Sequence, residues 1–207
     1  MTAVLTRGTG RQAWVAIRAL AALTVATVLY TLLVTAVGQL VLPAQANGSL
    51  VRADGRVIGS ALIGQSFTTP KGAVLPQWFQ SRPSAAGAGY DAAASSPSNL
   101  GPDDPALGKA IRDRRSALAA AFAVPAAAIP PDALTASGSG LDPAVSPAYA
   151  RLQVASVARA RHLPQAEVAR LVEGFVQGPD LGYLGAPTVD VLALNAALAK
   201  MDPAGNG

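Results

Sequence analysis

A single long apolar segment dominates the first part of the chain. No charged residue lies between Arg18 and Arg52, and Ala19 to Leu42 is almost wholly apolar. About 20 apolar residues are enough for an α-helix to cross the hydrocarbon core of a bilayer. The pattern therefore predicts one transmembrane helix over residues 19–42.

The charges ahead of this segment predict its orientation. Arg7, Arg11 and Arg18 precede it, and no acidic residue lies among them. Short segments rich in Lys and Arg stay on the cytoplasmic side of the membrane. We therefore expect residues 1–18 to form a cytoplasmic tail and residues 43–207 to form an extracytoplasmic domain.

A cleaved signal peptide is the alternative interpretation of the apolar segment. Ala44, Gln45 and Ala46 have the small-x-small form of a cleavage site. Against this alternative, the apolar segment is about twice as long as the roughly 7 to 15 apolar residues of a signal peptide. An uncleaved anchor is the favoured interpretation.

Local patterns after residue 43 alternate between strand and helix signals. Asp54 and Gly55 lie between short apolar runs, which is typical of a hairpin turn. Elsewhere a capping residue or a proline precedes apolar residues at helical spacing. The predicted elements are a hairpin around 50–58, helices at 105–122, 147–162 and from Pro164, a strand at 188–191 and a closing helix with Leu194 and Leu198. The alanine- and proline-rich stretch 123–134 is expected to be a linker or an irregular wrap. The fold class is thus α+β, with one small exported domain behind the anchor.

Composition and charge narrow the function classes. Charged residues make up 14% of the 207 residues, against roughly 25% in soluble proteins. Of the 16 Lys and Arg residues, 13 lie beyond Asn47 together with all 12 acidic residues, so the exported domain is nearly neutral. Nucleic-acid binding needs a concentrated basic face and is excluded. The chain has no cysteine and one histidine, so thiolate and histidine metal sites are not expected.

Small and hydroxylated residues recur along one face of the predicted span. They are Thr24, Thr27, Thr31, Thr35 and Gly38. Such a face lets another transmembrane helix approach closely. The other interpretation is that the threonine hydroxyls bond back to their own helix and face lipid.

A loop rich in glycine and serine precedes the second predicted helix. Its residues of interest are Ser137, Gly138, Ser139, Gly140 and Asp142. The loop fits neither the phosphate-binding G-x-x-x-x-G-K-[ST] pattern nor the G-x-S-x-G pattern of hydrolases. It is either a tight turn, whose glycines take positive φ and whose hydroxyls cap backbone groups, or a surface that binds an anion or a partner.

The hydrolase alternative depends on the single histidine. His162 would have to act as the base for Ser137 or Ser139, with Asp142 as the third member. His162 stands beside Arg159 and Arg161 at the end of a predicted helix, where a cation is simply favoured. A membrane-tethered exported serine hydrolase, or an anion-binding module, therefore stays as the alternative function.

Several motifs in order along the chain resemble one known family. They are QANGSL at 45–50, GSALIGQSF at 59–67, RPSA at 82–85, SNLGP at 98–102, TASGSGLDP at 135–143 and VLALN at 191–195. Together they closely resemble the KdpC family, the C subunit of the bacterial potassium-transporting P-type ATPase. Family members usually have Phe-His-Gly before RPSA, where this chain has Phe79, Gln80 and Ser81, and a bulkier polar residue at Ala144.

The resemblance implies an accessory subunit without catalytic activity of its own. The implied partners are a channel-like potassium-translocating subunit, a P-type ATP-hydrolysing subunit, a small fourth subunit and membrane lipid. Potassium would be the transported ion of the complex, in the bacterial plasma membrane. The family is described as needed for assembly and as a catalytic chaperone that raises the ATP affinity of the hydrolytic subunit. The matching position for the implied ATP contact is Gln153.

The implied ATP contact conflicts with the predicted orientation. ATP is cytoplasmic, whereas the arginines ahead of the span place residues 43–207 outside. One span cannot place the domain on both sides. A position above the ion-entry face of the channel-like subunit is therefore expected instead of direct contact between Gln153 and ATP.

Overall fold

The computed structural model describes residues Thr6 to Asn206, which form two compact units that divide between Ser49 and Leu50. The first unit consists of helix α1, Thr6–Val41, and a short helix α2, Pro43–Ala46. At about 1.5 Å per residue, α1 is about 54 Å long and exceeds the roughly 30 Å core of a bilayer. Among the described residues, Gly8–Val41 is the one segment long and apolar enough to cross a membrane.

The predicted span 19–42 lies within α1 except for Leu42. The first five residues of the predicted tail 1–18 lie outside the described part of the chain. The rest of the tail, from Thr6 onward, is part of helix α1. The chain turns directly after α1, where Asn47 Nδ2 donates to Gln39 Oε1 at 2.9 Å and to the Pro43 carbonyl at 2.7 Å. These bonds fix the end of the helix.

The second unit begins with the predicted hairpin, which is confirmed. Strands β1, Leu50–Ala53, and β2, Arg56–Ser60, pair antiparallel. Asp54 and Gly55 between them have φ values of 50° and 76°. Two consecutive positive φ values are those of a type I′ turn, which matches the twist of paired strands.

A three-stranded antiparallel sheet lies further along the chain. Its strands are β3, Ala144–Val145, β4, Val176–Gln177, and β5, Thr188–Asp190, with β5 in the centre. Val189 pairs with Val145 on one side and with Val176 on the other, and it is fully buried.

Four helices complete the second unit. They are α3, Pro105–Phe122, α4, Pro147–Ala160, α5, Gln165–Gly174, and α6, Val191–Met201. The predicted caps form, because Asp104 accepts from the Ala106 amide and Ser146 from the Tyr149 amide. Helix α4 is expected to end at His162 but ends two residues earlier, at Ala160. His162 has a φ of 54°, which is not helical. Short 3₁₀ turns lie at Ala92–Ala94, Ala126–Ala128, Pro131–Ala133 and Pro203–Asn206.

The core lies where α5 contacts α4 and α6 and where α4 and α6 meet β5. Val168, Val172, Leu194 and Leu198 are fully buried, as their spacing predicts. The stretch 123–134 is an irregular wrap, since its Ile129, Ala133 and Leu134 are buried in the same core. The expected α+β architecture is confirmed.

Candidate functional site

The glycine and serine loop is bonded to distant segments of the chain. The Ser139 carbonyl accepts from the Ser96 amide at 3.1 Å and from Ser95 Oγ at 3.0 Å. The Gly140 carbonyl accepts from Ser84 Oγ at 2.6 Å. Within the loop, Ser139 Oγ accepts from the Leu141 amide at 3.0 Å. These bonds hold the loop against the 82–96 segment.

The two glycines of this loop have different roles. Gly140 has a φ of +69°, and a Cβ built there would lie 2.8 Å from both the Ala86 nitrogen and the Ser96 oxygen. Only glycine fits this position without strain. Gly138 has no positive φ and faces open space, so the expectation that both glycines need positive φ is wrong for Gly138.

Asp142 forms an ion pair within the domain. Its Oδ2 lies 2.9 Å from Arg82 Nη1, and its Oδ1 accepts from the Ala144 amide at 3.0 Å. Both carboxylate oxygens therefore have partners on the same chain. The effect is to join the loop to the RPSA segment, which begins at Arg82.

Two buried carboxamides hold the backbone of one extended segment. Gln153 of α4 is fully buried, with Oε1 accepting from the Gln80 amide at 2.6 Å and Nε2 donating to the Gln80 carbonyl at 3.2 Å. Asn195 of α6 does the same for Phe79, with both bonds at 2.9 Å. Each side chain thus takes the place of a neighbouring β-strand. We call this pair of side chains the carboxamide clamp.

The burial of Gln153 corrects one expectation. As a polar residue on a helix, Gln153 is expected at the surface, with little effect on folding. Its exposed fraction is instead 0%, because α4 lies in the core and its inner face carries this side chain. In this conformation the carboxamide bonds to backbone and has no access to solvent.

A buried arginine fixes the segment just before the clamp. Arg161 Nε donates to the Gln77 carbonyl at 2.7 Å, and its guanidinium lies 4.3 Å from the centre of the Trp78 ring. Nη1 lies 3.4 Å from Asp202 Oδ2, and both Nη1 and Nη2 bond to Asn206. Burial lowers the pKa of Arg161, although the hydrogen bond and charge of Asp202 oppose this shift. The group remains a cation at neutral pH, and it joins the C-terminal residues to the Trp78 segment.

The members of the proposed Ser-His-Asp arrangement have separate partners. The hydroxyl of Ser139 bonds to the Leu141 amide and lies 3.4 Å from Ser137 Oγ, while Asp142 is paired with Arg82. Exposed His162 lines a cavity with Arg161 and Asp202. In the described part of the chain, residues 6–206, no hydrogen bond joins His162 to Ser139 or to Asp142. No group of three or more metal-binding side chains occurs in that range either.

Comparison with known proteins settles the family. A family model described as "KdpC: K+-transporting ATPase, c chain" matches residues 13–200. The chain belongs to the KdpC family. A protein of Kineococcus radiotolerans named "Potassium-transporting ATPase KdpC subunit" is 55% identical over 174 residues, covering 84% of this chain and 85% of the relative. A Caulobacter vibrioides protein of the same name is 53% identical over 175 residues, covering 84% and 85%. One from Nitratidesulfovibrio vulgaris is 55% identical over 170 residues, covering 82% and 83%.

The KdpC resemblance drawn from the motifs is thereby confirmed, and the motifs meet in the structure. Ser84 of RPSA bonds to Gly140 of the glycine and serine loop, and Asn195 of VLALN bonds to Phe79. Sequence reasoning missed the clamp and the role of Arg161. One signal for the clamp was present, because Asn195 is a lone amide among the apolar residues of α6.

Proposed function

We propose that this chain is the accessory C subunit of an ATP-driven, high-affinity potassium importer, anchored in the plasma membrane by α1. It is needed for assembly of the complex and raises the ATP affinity of the hydrolytic subunit. The partners are a channel-like subunit, the P-type hydrolytic subunit and a small fourth subunit. The family match supports this proposal because it spans both the apolar helix and the domain.

The main support for an accessory role is that the side chains singled out from the sequence form hydrogen bonds within the domain. Ser84, Asp142, Gln153 and Asn195 each bond to a backbone or side chain elsewhere in the domain. A catalytic group needs access to a substrate and a neighbour that transfers its proton. These side chains instead stabilise one rigid shape. A rigid shape is what a subunit needs when it acts through contacts with other proteins.

The charge pattern supports a domain on the extracytoplasmic side. There it would lie over the ion-entry face of the channel-like subunit. The face of α1 that carries Thr24, Thr27, Thr31, Thr35 and Gly38 would pack against helices of the partners. Thr27 Oγ1 donates to the Leu23 carbonyl and Thr31 Oγ1 to the Thr27 carbonyl, each at 2.9 Å. This back-bonding is expected for either interpretation, and the small size of the residues along the face is what supports close helix packing.

An effect on ATP affinity does not require contact with ATP. If the domain binds more tightly to the conformation that ATP favours, linkage requires ATP to bind more tightly when the domain is present. The effect of the subunit can therefore cross the membrane through the conformational equilibrium of the complex. Gln153 would act in this scheme by holding Phe79 and Gln80 in place.

Growth on limiting potassium tests the proposal. A strain that lacks its own C subunit should regain growth at low potassium when it produces this chain with matching partner subunits. Ser139→Ala and His162→Ala should restore growth equally well, because no proton transfer depends on them. Loss of growth with His162→Ala in a normally assembled complex would favour the hydrolase alternative.

A further inference from the structure

A cavity of about 440 Å³ opens beside the RPSA segment within the second unit. Its apolar wall includes Phe67, Val74 and Leu118, and its polar wall includes Arg82, Arg114 and Tyr90. Cavities of a few hundred Å³ with apolar walls and a few polar groups are typical binding sites. Neither the clamp nor the glycine and serine loop accounts for this combination.

Arg114 brings an uncompensated positive charge to the cavity. It lies on α3, and its Nη1 donates to the Leu134 carbonyl at 2.8 Å. None of the ion pairs in the described part of the chain includes Arg114. Its neighbour Arg115 is exposed, whereas Arg114 is half-buried. A guanidinium that is half-buried without a carboxylate is a natural partner for an anion.

Arg82 brings a buried donor without a partner. Its Nη1 is paired with Asp142 and its Nη2 lies 3.4 Å from the Thr135 carbonyl, but its Nε is buried and bonds to nothing. Ser81 Oγ, beside the Tyr90 phenol, also makes no hydrogen bond of ordinary geometry. These are the two such side-chain atoms in residues 8–206, and both residues line this cavity. Buried polar atoms are nearly always hydrogen-bonded, so these two atoms mark a place where an ordered water or a bound group is expected.

The charges of the cavity indicate what that group is. Two guanidiniums line the cavity, and the one of Arg82 is paired with Asp142, which leaves the positive charge of Arg114. Burial raises the pKa of Tyr90 to about 12, so its phenol adds no negative charge at neutral pH. One excess positive charge matches one carboxylate better than it matches a phosphate or polyphosphate with several charges.

We propose that this cavity receives the carboxylate of an Asp or Glu side chain from another subunit of the complex. The carboxylate would accept hydrogen bonds from Arg114, beside Arg82, while Phe67 and Leu118 contact the methylene groups and neighbouring residues of the partner loop. The volume admits the tip of a loop together with its acidic side chain. The proposal rests on the proposed function, since it requires the complex.

Retention of the chain in the purified complex tests the proposal. Arg114→Glu should weaken retention by about tenfold or more, because it places a carboxylate opposite the partner's carboxylate. Arg114→Gln keeps a donor for the Leu134 carbonyl and removes the charge, so it should weaken retention less while folding normally. Arg115→Ala is the matched control on the same helix and should have no effect. Melting of the full-length chain in detergent separates loss of folding from loss of binding.

Unchanged retention of a folded Arg114→Glu or Arg114→Gln variant would overturn the proposal while leaving the proposed function intact. Failure of the unaltered chain to join the complex would instead contradict the proposed function. Acetate and inorganic phosphate added to the full-length chain test for a soluble anion. A rise in melting temperature with either one, abolished by Arg114→Gln, would assign the cavity to a solute and overturn the partner assignment. No shift with either anion is the expected result.

Discussion

Gln153 Oε1 accepts a 2.6 Å hydrogen bond from the Gln80 amide, although the two residues are 73 positions apart in sequence. Nε2 of the same side chain donates to the Gln80 carbonyl. The position that the KdpC resemblance associates with ATP is therefore a structural support for the Phe79–Gln80 backbone. The physical reason is burial, since a buried amide is stable only when its polar groups are bonded.

Replacing Gln153 should destabilise the domain. Gln153→Ala leaves the amide and carbonyl of Gln80 buried without partners, and we expect the free energy of unfolding to fall by about 2–4 kcal/mol. Chemical denaturation of the full-length chain in detergent measures the change. Gln165→Ala is the control, because Gln165 is exposed on α5 and should change stability by less than about 0.5 kcal/mol. Equal stability of the two variants would show that the clamp does not support the fold.

The glycine and serine loop should tolerate substitution at one glycine and not at the other. Gly140→Val forces a β-branched residue into positive φ and against Ala86 and Ser96, so it should cost at least about 1–3 kcal/mol of folding free energy. A side chain at position 138 would face open space, so Gly138→Val should leave the free energy of unfolding nearly unchanged. Melting temperatures of the two variants give the comparison. A larger loss for Gly138→Val would mean that the loop has another conformation.

Local signals explain which parts of the fold could be predicted. Asp54-Gly55, Asp104-Pro105 and Ser146-Pro147 act within a few residues, and each begins or ends its element where predicted. The clamp could not be predicted in this way, because the Asn195–Phe79 bonds join residues 116 positions apart. The helical pattern of α3 does place Arg114 between the apolar positions, but it cannot show that the guanidinium bonds to the Leu134 carbonyl and lines a cavity.

The threonine face of α1 should mediate helix contacts in the membrane. Replacing Thr27, Thr31 and Thr35 together by Leu should weaken retention in the complex, because bulky side chains hold helix backbones apart. Ala22→Leu with Ala26→Leu adds bulk to the opposite face of the helix and serves as the control. Co-purification with the other subunits measures both. Equal retention of the two variants would show that the threonine face contacts lipid.

The lack of cysteine allows a direct test of orientation. Gly138 faces open space, so Gly138→Cys places a single thiol on the surface of the domain. A membrane-impermeant maleimide should label this thiol in intact spheroplasts, because the arginines ahead of the predicted span 19–42 keep the N-terminus inside. Labelling only after the membrane is permeabilised would reverse the orientation.

The ATP dependence of potassium-stimulated hydrolysis tests whether this chain raises the ATP affinity of the complex. Solubilised partner subunits are assayed before and after the purified chain is added back, over a range of ATP concentrations, and a third sample receives the Gln153→Ala chain below its melting temperature. We predict that the chain lowers the ATP concentration for half-maximal hydrolysis by at least about fivefold. Gln153→Ala should preserve that shift wherever the complex stays assembled. The same ATP dependence with and without the chain would show that the chain does not raise the ATP affinity of the hydrolytic subunit.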